Sequence, residues 1–250
     1  NMACPYCFVK QNPNVITLQT AKDTADFLIR NAQVQGDTPS INFFGGEPLL
    51  CWDSIIVPLT HYIREDLKTP FTLSMTSNCI LMDREKLEFM KANGISLLFS
   101  IDGDEETQNY NRPCKNGEPS FEKLRDTIPL VLEFYPDMVF RSTVIPETCH
   151  NLYHNIEFAV NSGYKRIFVT PNTMTEWTSD KKKIVEDEIR KFSQYIIGCY
   201  RSEVDPPAFS SLEKMFRSIR LINASIDTGS FRCTDGCKAE GKCGLGAAKY

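Results

Sequence analysis

Hydrophobic residues along this chain switch repeatedly between the spacing of a helix and the continuous run of a buried strand. Short apolar runs predict five strands, at 40–44, 71–78, 95–103, 138–145 and 166–171. Helical spacing precedes the first strand and separates the others, at 17–35, 52–67, 83–94, 119–134 and 151–162. Strands that alternate with helices in this way form a parallel sheet with helices on its outside.

Local signals mark the ends of several predicted helices. Gly36 ends the first helix and Gly163 ends the fifth, as glycine commonly does after a last helical turn. Asp83 caps the third. In the second helix Asp53 is a possible cap, whereas Pro58 is awkward in the interior because it lacks a backbone N–H group.

The mild acidity of the chain argues against one class of partner. Lys and Arg number 28 and Asp and Glu number 32, which gives a formal net charge of −4. Nothing in this balance indicates a nucleic-acid partner. No apolar run approaches the ~18 residues of a membrane span, so we expect a cytoplasmic protein with no membrane partner.

The ten cysteines are unevenly distributed. Cys4 and Cys7 lie in the first seven residues, and Cys233, Cys237 and Cys243 lie in the last eighteen. The chain is long for a disulfide scaffold and shows no secretory signal, so clustered cysteines favour metal binding.

Small and polar residues gather where the predicted strands end. The segments are GGEP after the first strand, TSN after the second, SIDG at the end of the third and TPN after the fifth. Any one of them alone is ordinary turn chemistry. In parallel sheets, however, functional sites form at the carboxyl ends of the strands, so four such segments together predict a site there.

The Cys4-x-x-Cys7 pair has three possible functions when considered alone: a redox dithiol, half of a zinc site or part of an iron–sulfur site. Its surroundings narrow the choice. With Phe8 beside the second cysteine, FFGGEP about 35 residues later and then SIDG, the chain resembles the radical S-adenosylmethionine (SAM) enzymes. Their signature is C-x-x-x-C-x-x-C, so we expect the first cysteine immediately before Asn1 and a chain that is truncated at this end.

The resemblance implies a [4Fe–4S] cluster and SAM as cofactors. Three thiolates hold three irons, and the fourth iron chelates SAM through its amine and carboxylate. An electron from the reduced cluster then cleaves the sulfonium to give methionine and a 5′-deoxyadenosyl radical. The protein binds and orients these groups while the cofactors perform the difficult step.

The resemblance also assigns roles to individual residues. Cys4 and Cys7 match cluster ligands, and Tyr6 matches a position beside the adenine. The remaining SAM-binding candidates are Gly45, Gly46 and Glu47 of GGE, Ser100 of SIDG, Arg112, and the strand-end residues Asn78 and Arg141. A helix N-terminal charge is the alternative for Glu47, and a surface ion pair is the alternative for Arg112.

The tail resembles the beginning of a SPASM domain, which binds auxiliary iron–sulfur clusters. Cys237 and Cys243 match its first ligands, Cys233 is a further candidate, and a small zinc knuckle is the alternative. We therefore expect a partial (βα)6 TIM-like barrel of class α/β with its first strand upstream. The predicted divisions are a barrel over 1–204, a linking helix in 205–229 and the start of the SPASM domain in 230–250, truncated at Tyr250.

Enzymes with this layout act mainly on peptides or proteins. We predict a maturase that forms a thioether or carbon–carbon crosslink in a ribosomally made peptide, with flavodoxin or ferredoxin as its reductant. An anaerobic sulfatase-maturating enzyme is the alternative, although Phe44, Gln108 and Asn109 depart from that branch. An alternative of another class is a zinc-stabilised binding module without catalytic activity.

Overall fold

A computed structural model of the chain describes residues 1–9 and 12–203. Five strands are present in this part: β1 (Ser40–Phe43), β2 (Thr72–Ser77), β3 (Ile95–Phe99), β4 (Val139–Val144) and β5 (Arg166–Pro171). The α-helices are α1 (Leu18–Gln35), α2 (Val57–His61), α3 (Arg84–Ala92), α4 (Glu105–Asn111), α5 (Phe121–Arg125), α6 (Thr127–Phe134), α7 (Leu152–Asn161) and α8 (Ser179–Arg201).

All the strand pairings within these sheets are parallel. β1, β2 and β3 form one sheet in sequence order, and β4 pairs with β5 in a second. A parallel bridge between Ser100 and Arg141 connects the end of β3 to β4. The five strands predicted from the apolar runs are therefore confirmed, and so is the α/β fold class.

Each strand presents alternate residues to two chemically different faces. The outer face packs against the helices and contains apolar side chains such as Leu73, Ile95, Phe140 and Ile167, which are almost completely buried. The inner face is mainly polar and more accessible. In the register of the strands it carries Asn42, Ser74, Thr76, Ser96, Ser100, Arg141, Thr143 and Thr170.

The ends of the first helix follow the sequence closely. The Thr17 side chain accepts a hydrogen bond from the backbone N–H of Thr20 and so caps the start of α1. Gly36 ends the helix with φ of 66°, a left-handed conformation that glycine adopts without steric cost. Both features agree with the predicted helix over 17–35.

The helix predicted over 52–67 is irregular and begins earlier than expected. A 3₁₀ turn (Pro48–Cys51) and a π turn (Trp52–Ile56) lead into α2, and a second π turn (Tyr62–Leu67) follows it. Asp53 is not the cap, because Glu47 caps the 3₁₀ turn directly before Pro48. Pro58 contributes no backbone N–H group, and the π turns lie on both sides of the short α-helix that contains it.

One further helix prediction needs correction, and one helix was missed. The helix expected over 119–134 is divided at Asp126 into α5 and α6. Helix α4 was not predicted, although Asp104 caps it and two glutamates occupy its first turn. These are recognisable helix-start signals. This short helix leads directly to Arg112 and therefore helps to build the candidate site.

Several sequence predictions lie outside the described residues. They are the linking helix in 205–229, the start of the SPASM domain in 230–250, and the cysteines Cys233, Cys237 and Cys243. Within residues 1–9 and 12–203, no helix is both long enough and apolar enough to cross a membrane.

Candidate cofactor site at the carboxyl ends of the strands

The N-terminal segment is fixed alongside the loop that follows α4. The backbone N–H of Ala3 donates to the carbonyl of Pro113 at 2.8 Å, and that of Lys115 donates to the carbonyl of Asn1 at 3.1 Å. Between these bonds Met2 forms an antiparallel bridge with Cys114, and both side chains are buried. The Cys4-x-x-Cys7 segment is therefore anchored to the edge of the fold.

A tight turn brings Cys4 and Cys7 together. The backbone N–H of Cys7 donates to the carbonyl of Cys4 at 3.1 Å. The Cys7 side chain is exposed and Cys4 is half-buried. Burial raises the pKa of the Cys4 thiol, and the positive charge of Arg112 opposes this rise. This loop, residues 4–7, is called the cysteine loop below.

Asp102, in the SIDG segment, connects the cysteine loop to the strand ends. Its carboxylate accepts hydrogen bonds from the Tyr6 hydroxyl, from Asn111 Nδ2 at 3.2 Å and from the Thr143 backbone N–H at 2.9 Å. It also pairs with the Arg112 guanidinium at 2.9 Å. Asp102 was not among the predicted site residues, although it belongs to SIDG, one of the strand-end segments predicted to form the site.

Arg112 is buried and forms no surface ion pair. Its side chain is 11% exposed, and the guanidinium lies over the Tyr6 ring at 5.4 Å from the ring centre. Burial acts to lower the pKa of Arg112, but the neighbouring groups Asp102, Tyr6 and Cys4 together outweigh burial, and the pKa is raised. Burial raises the pKa of Tyr6, and the charge of Asp102 adds to this effect, so Tyr6 remains a hydrogen-bond donor.

The Glu47 carboxylate, at the end of the GGE segment, accepts hydrogen bonds from the end of β2 and from the 3₁₀ turn that Glu47 caps. Its Oε1 accepts from the Ser77 hydroxyl at 2.7 Å and from the Leu49 backbone N–H at 3.0 Å, while Oε2 accepts from the Asn78 backbone N–H at 2.9 Å. Burial raises the pKa of Glu47, and these hydrogen bonds act in the opposite direction. A carboxylate has about four acceptor positions, so one remains for a ligand.

The two glycines before Glu47 border open space. A Cβ atom built on Gly45 or Gly46 would meet no other atom within 4 Å. Gly45 has φ of 142°, which side chains rarely adopt. The backbone at this point is therefore accessible to close approach by a ligand.

Asn78 and Ser100 directly follow β2 and β3, as the sequence predicted. The strand-end position expected for Arg141 is wrong, because Arg141 lies inside β4 and pairs there with Phe168. Asn78 Nδ2 donates to Asn1 Oδ1 at 2.8 Å, which ties this strand end to the N-terminal segment. The Ser100 backbone N–H donates to the carbonyl of Ser77, and Ser100 bridges to Arg141. Arg141 is exposed, and its pKa is lowered by partial desolvation and by the nearby charge of Arg112.

Gly103, directly after Asp102, is required by the packing at the start of α4. A Cβ atom at this position would lie 2.0 Å from Asn155 Oδ1, which accepts the Asp104 backbone N–H at 3.1 Å. We expect Gly103→Ala to lower the free energy of unfolding by about 1–3 kcal/mol, because Asn155 must give up this bond. The control Gly198→Ala, in open space on α8, should be neutral or stabilising. Equal denaturation midpoints for the two variants would contradict the predicted clash.

The residues at this edge fit an iron–sulfur cluster and SAM. Cys4 and Cys7 supply two thiol ligands, and Glu47 retains an acceptor position for an ammonium group. Arg112 Nε and Asn1 Nδ2 are buried donors without a partner among the described residues. Buried donors are normally paired, so these two suit an acceptor such as a carboxylate.

The described residues contain only part of the ligand set that the sequence analysis expects. Within residues 1–9 and 12–203, no group of three or more His, Cys, Asp or Glu side chains is arranged to hold a metal ion. A third thiolate immediately before Asn1 therefore stays a prediction, as do the roles of the residues brought together here.

Comparison with known proteins decides the family. The sequence profile of the Radical SAM superfamily matches residues 1–159, which is more than half of the chain. This chain belongs to the radical SAM superfamily. Radical SAM proteins use a [4Fe–4S] cluster and SAM, which confirms the two cofactors expected from the cysteine pair and the GGE segment.

Two curated relatives have similar sequences. The radical SAM cyclopropyl synthase TigE of Paramaledivibacter caminithermalis is 25% identical over 252 residues, covering 94% of this chain. The uncharacterized protein MJ0907 of Methanocaldococcus jannaschii is 31% identical over 123 residues, covering 48% of this chain. The matches cover 51% and 41% of those proteins, so this chain spans about half the length of its relatives or less.

Two solved structures share the fold. The enzyme anSMEcpe with bound AdoMet (SAM) aligns with a TM-score of 0.68 at 16% identity, over 82% of this chain and 59% of that one. SuiB of Streptococcus suis, bound to its precursor peptide SuiA, aligns with a TM-score of 0.57 at 16% identity, over 83% and 45% of the two chains. The described strands and helices of this chain therefore form a radical SAM fold.

Proposed function

We propose that this protein is a peptide-modifying radical SAM enzyme. A cluster held by Cys4 and Cys7 would supply the electron for cleavage of SAM, and the resulting 5′-deoxyadenosyl radical would abstract hydrogen from a peptide. The observation that carries the proposal is the position of the cysteine loop. Through Tyr6, Asp102 and Arg112 this loop is held against the strand end that also carries Ser100.

The chain's own residues bind and orient in this proposal. Cys4 and Cys7 are cluster ligands. Glu47 accepts the SAM ammonium at its remaining acceptor position, and the unpartnered Arg112 Nε donates to the SAM carboxylate. Tyr6 lies beside the adenine, and Gly45 and Gly46 permit close backbone approach. Ser100, Asn78 and Arg141 complete the rim of the site.

A peptide substrate is supported by the kinds of protein that this chain resembles. SuiB is described in complex with its precursor peptide, and anSMEcpe in complex with the peptides Cp18Cys and Kp18Cys. The inner face of the strands offers polar side chains and the exposed cation Arg141 to such a substrate. We infer installation of a thioether or carbon–carbon crosslink in a ribosomally made peptide, with flavodoxin or ferredoxin as reductant and with auxiliary clusters in the tail.

Sulfatase maturation, the alternative that the sequence left open, is the second candidate. Against it, Phe44, Gln108 and Asn109 depart from that branch. In this fold Gln108 is buried and accepts the Asp102 backbone N–H, so it serves the loop structure. Membership in the superfamily favours either enzyme over a zinc-stabilised binding module.

The deciding experiment is an anaerobic assay of the full-length protein with a reductant and SAM. We expect brown protein with absorbance near ~400 nm, and formation of 5′-deoxyadenosine. The protein is then incubated with short cysteine-rich peptides and with a sulfatase-derived peptide. Mass spectrometry of the peptides separates the two candidates, because it shows which peptide loses mass. Colourless protein that contains zinc and forms no 5′-deoxyadenosine would overturn the proposal.

Substitutions in the SAM-binding residues should separate SAM binding from cluster binding. In Glu47→Gln and Ser100→Ala the dissociation constant for SAM should rise by about tenfold or more, because a hydrogen bond to a charged group contributes about 1.5–3 kcal/mol. Neither residue is an iron ligand, so the cluster absorbance should be unchanged. Titration with SAM under anaerobic conditions measures both quantities, and an unchanged SAM affinity in both variants would reject these assignments.

A further inference from the structure

Asp102 has a buried carboxylate whose acceptor positions are all occupied by the protein. Its side chain is fully buried. Oδ1 accepts from Arg112 Nη2 and from the Thr143 backbone N–H, each at 2.9 Å. Oδ2 accepts from the Tyr6 hydroxyl and from Asn111 Nδ2. Four donors fill about four acceptor positions, so no position remains for a ligand.

Asp102 is itself rigidly held by two neighbouring elements. Its backbone N–H donates to Gln108 Oε1, on α4, at 2.9 Å, and its carbonyl accepts the Ser142 hydroxyl, on β4, at 2.8 Å. The packing of Gly103 against Asn155 restricts the chain on the next residue. A side chain with a fixed backbone and fixed partners can hold a neighbouring loop in one position.

We propose that Asp102 is a positioning residue that fixes the cysteine loop relative to Arg112 before any cofactor binds. Tyr6 lies 96 residues from Asp102 in sequence and is the cysteine-loop residue that contacts its carboxylate. The same carboxylate holds Arg112, whose guanidinium covers the Tyr6 ring. The buried Asp102 carboxylate therefore fixes the position of the cysteine loop relative to Arg112. The consequence of this role for SAM chemistry rests on the proposed function. The positioning of the cysteine loop before cofactor binding does not depend on that function.

Three variants of the full-length protein test this role: Tyr6→Phe, Asp102→Asn and the double variant. Asp102→Asn removes the charge and points a donor group at other donors. Tyr6→Phe removes one hydroxyl and retains the Arg112–Asp102 pair. Glu133→Gln is the matched control, because it also removes a carboxylate that pairs with an arginine, in the exposed Arg84–Glu133 bridge.

The main readout is hydrogen exchange of residues 1–9 in iron-free protein, measured by mass spectrometry. We expect exchange in this segment to accelerate by about tenfold or more in Asp102→Asn and by less in Tyr6→Phe. The double variant should add little to Asp102→Asn, because both changes remove the same contact. The core strands of all variants and the whole Glu133→Gln protein should exchange at the wild-type rate.

A second readout is the rate at which a chelator removes iron from the reconstituted cluster. It should rise in the same order as the exchange rate, with Glu133→Gln at the wild-type value. If exchange of residues 1–9 is unchanged in both single variants, Asp102 does not position the loop. If Asp102→Asn fails to fold, Tyr6→Phe alone decides by the same criterion. If exchange is faster in the variants but the wild-type protein does not cleave SAM, the proposed function is wrong and the positioning role is supported.

Discussion

Replacing Cys4 or Cys7 by alanine in the full-length protein should reduce the formation of 5′-deoxyadenosine to background. Each thiolate of the family's motif holds one iron, and the loss of either leaves two irons without a protein ligand. The cluster is then poorly held, and the absorbance near ~400 nm and the iron content should fall with it. Both are measured after anaerobic reconstitution, beside the activity assay with reductant and SAM.

Cys51→Ala provides the matched control for this prediction. Cys51 is a free, half-buried cysteine that packs against the hydrophobic core and is not part of the cysteine loop. Its replacement should leave the iron content and the formation of 5′-deoxyadenosine near their wild-type values. A full cluster spectrum with undiminished SAM cleavage in both Cys4→Ala and Cys7→Ala would show that this pair does not ligate the cluster.

The largest effect on stability is expected for Phe140→Ala. Phe140 lies on the outer face of β4, is fully buried and contacts the Tyr164 ring edge-to-face at 5.4 Å between ring centres. Truncating a buried phenylalanine removes its apolar contacts and leaves a cavity, which costs about 3–5 kcal/mol. The free energy of unfolding from denaturant titration should fall by this amount.

Phe168→Ala, on the inner face of the strands, is the matched comparison for Phe140→Ala. Phe168 pairs in register with Arg141 on the adjacent strand, but it points to the inner face and is only half-buried. Its truncation should cost less than half as much as that of Phe140. Equal losses for the two phenylalanines would mean that the inner face is as fully packed as the outer one, contrary to the register described above.

The strands and the first helix could be predicted because their signals are local. Apolar runs such as 95–99 are buried on the helix-facing side, and Gly36 adopts the left-handed conformation that its position suggested. The GGE and SIDG segments were likewise visible as polar residues at strand ends. Their assembly at one edge follows from the parallel order of the strands.

Helix α4 and Asp102 could not be found by the same reasoning. The sequence of α4, EETQNYN, has no apolar periodicity. The residues that this helix buries are polar: Thr107, Gln108 and Asn111. Its only signals were the Asp104 cap and the acidic first turn. The SIDG segment marks the position of Asp102, but its role depends on partners such as Tyr6 and Thr143, which are far away in sequence.

The connection between β3 and β4 has a consequence for the shape of the molecule. Within a ladder, strands are held at about 4.8 Å by the fixed length of backbone hydrogen bonds. Here, in the described part of the chain, one backbone bridge is supplemented by two hydrogen bonds that Asp102 accepts, from the Ser142 hydroxyl and the Thr143 backbone N–H. The spacing of the two sheets at this seam therefore depends on the side chains of residues 102 and 142 as well as on backbone pairing.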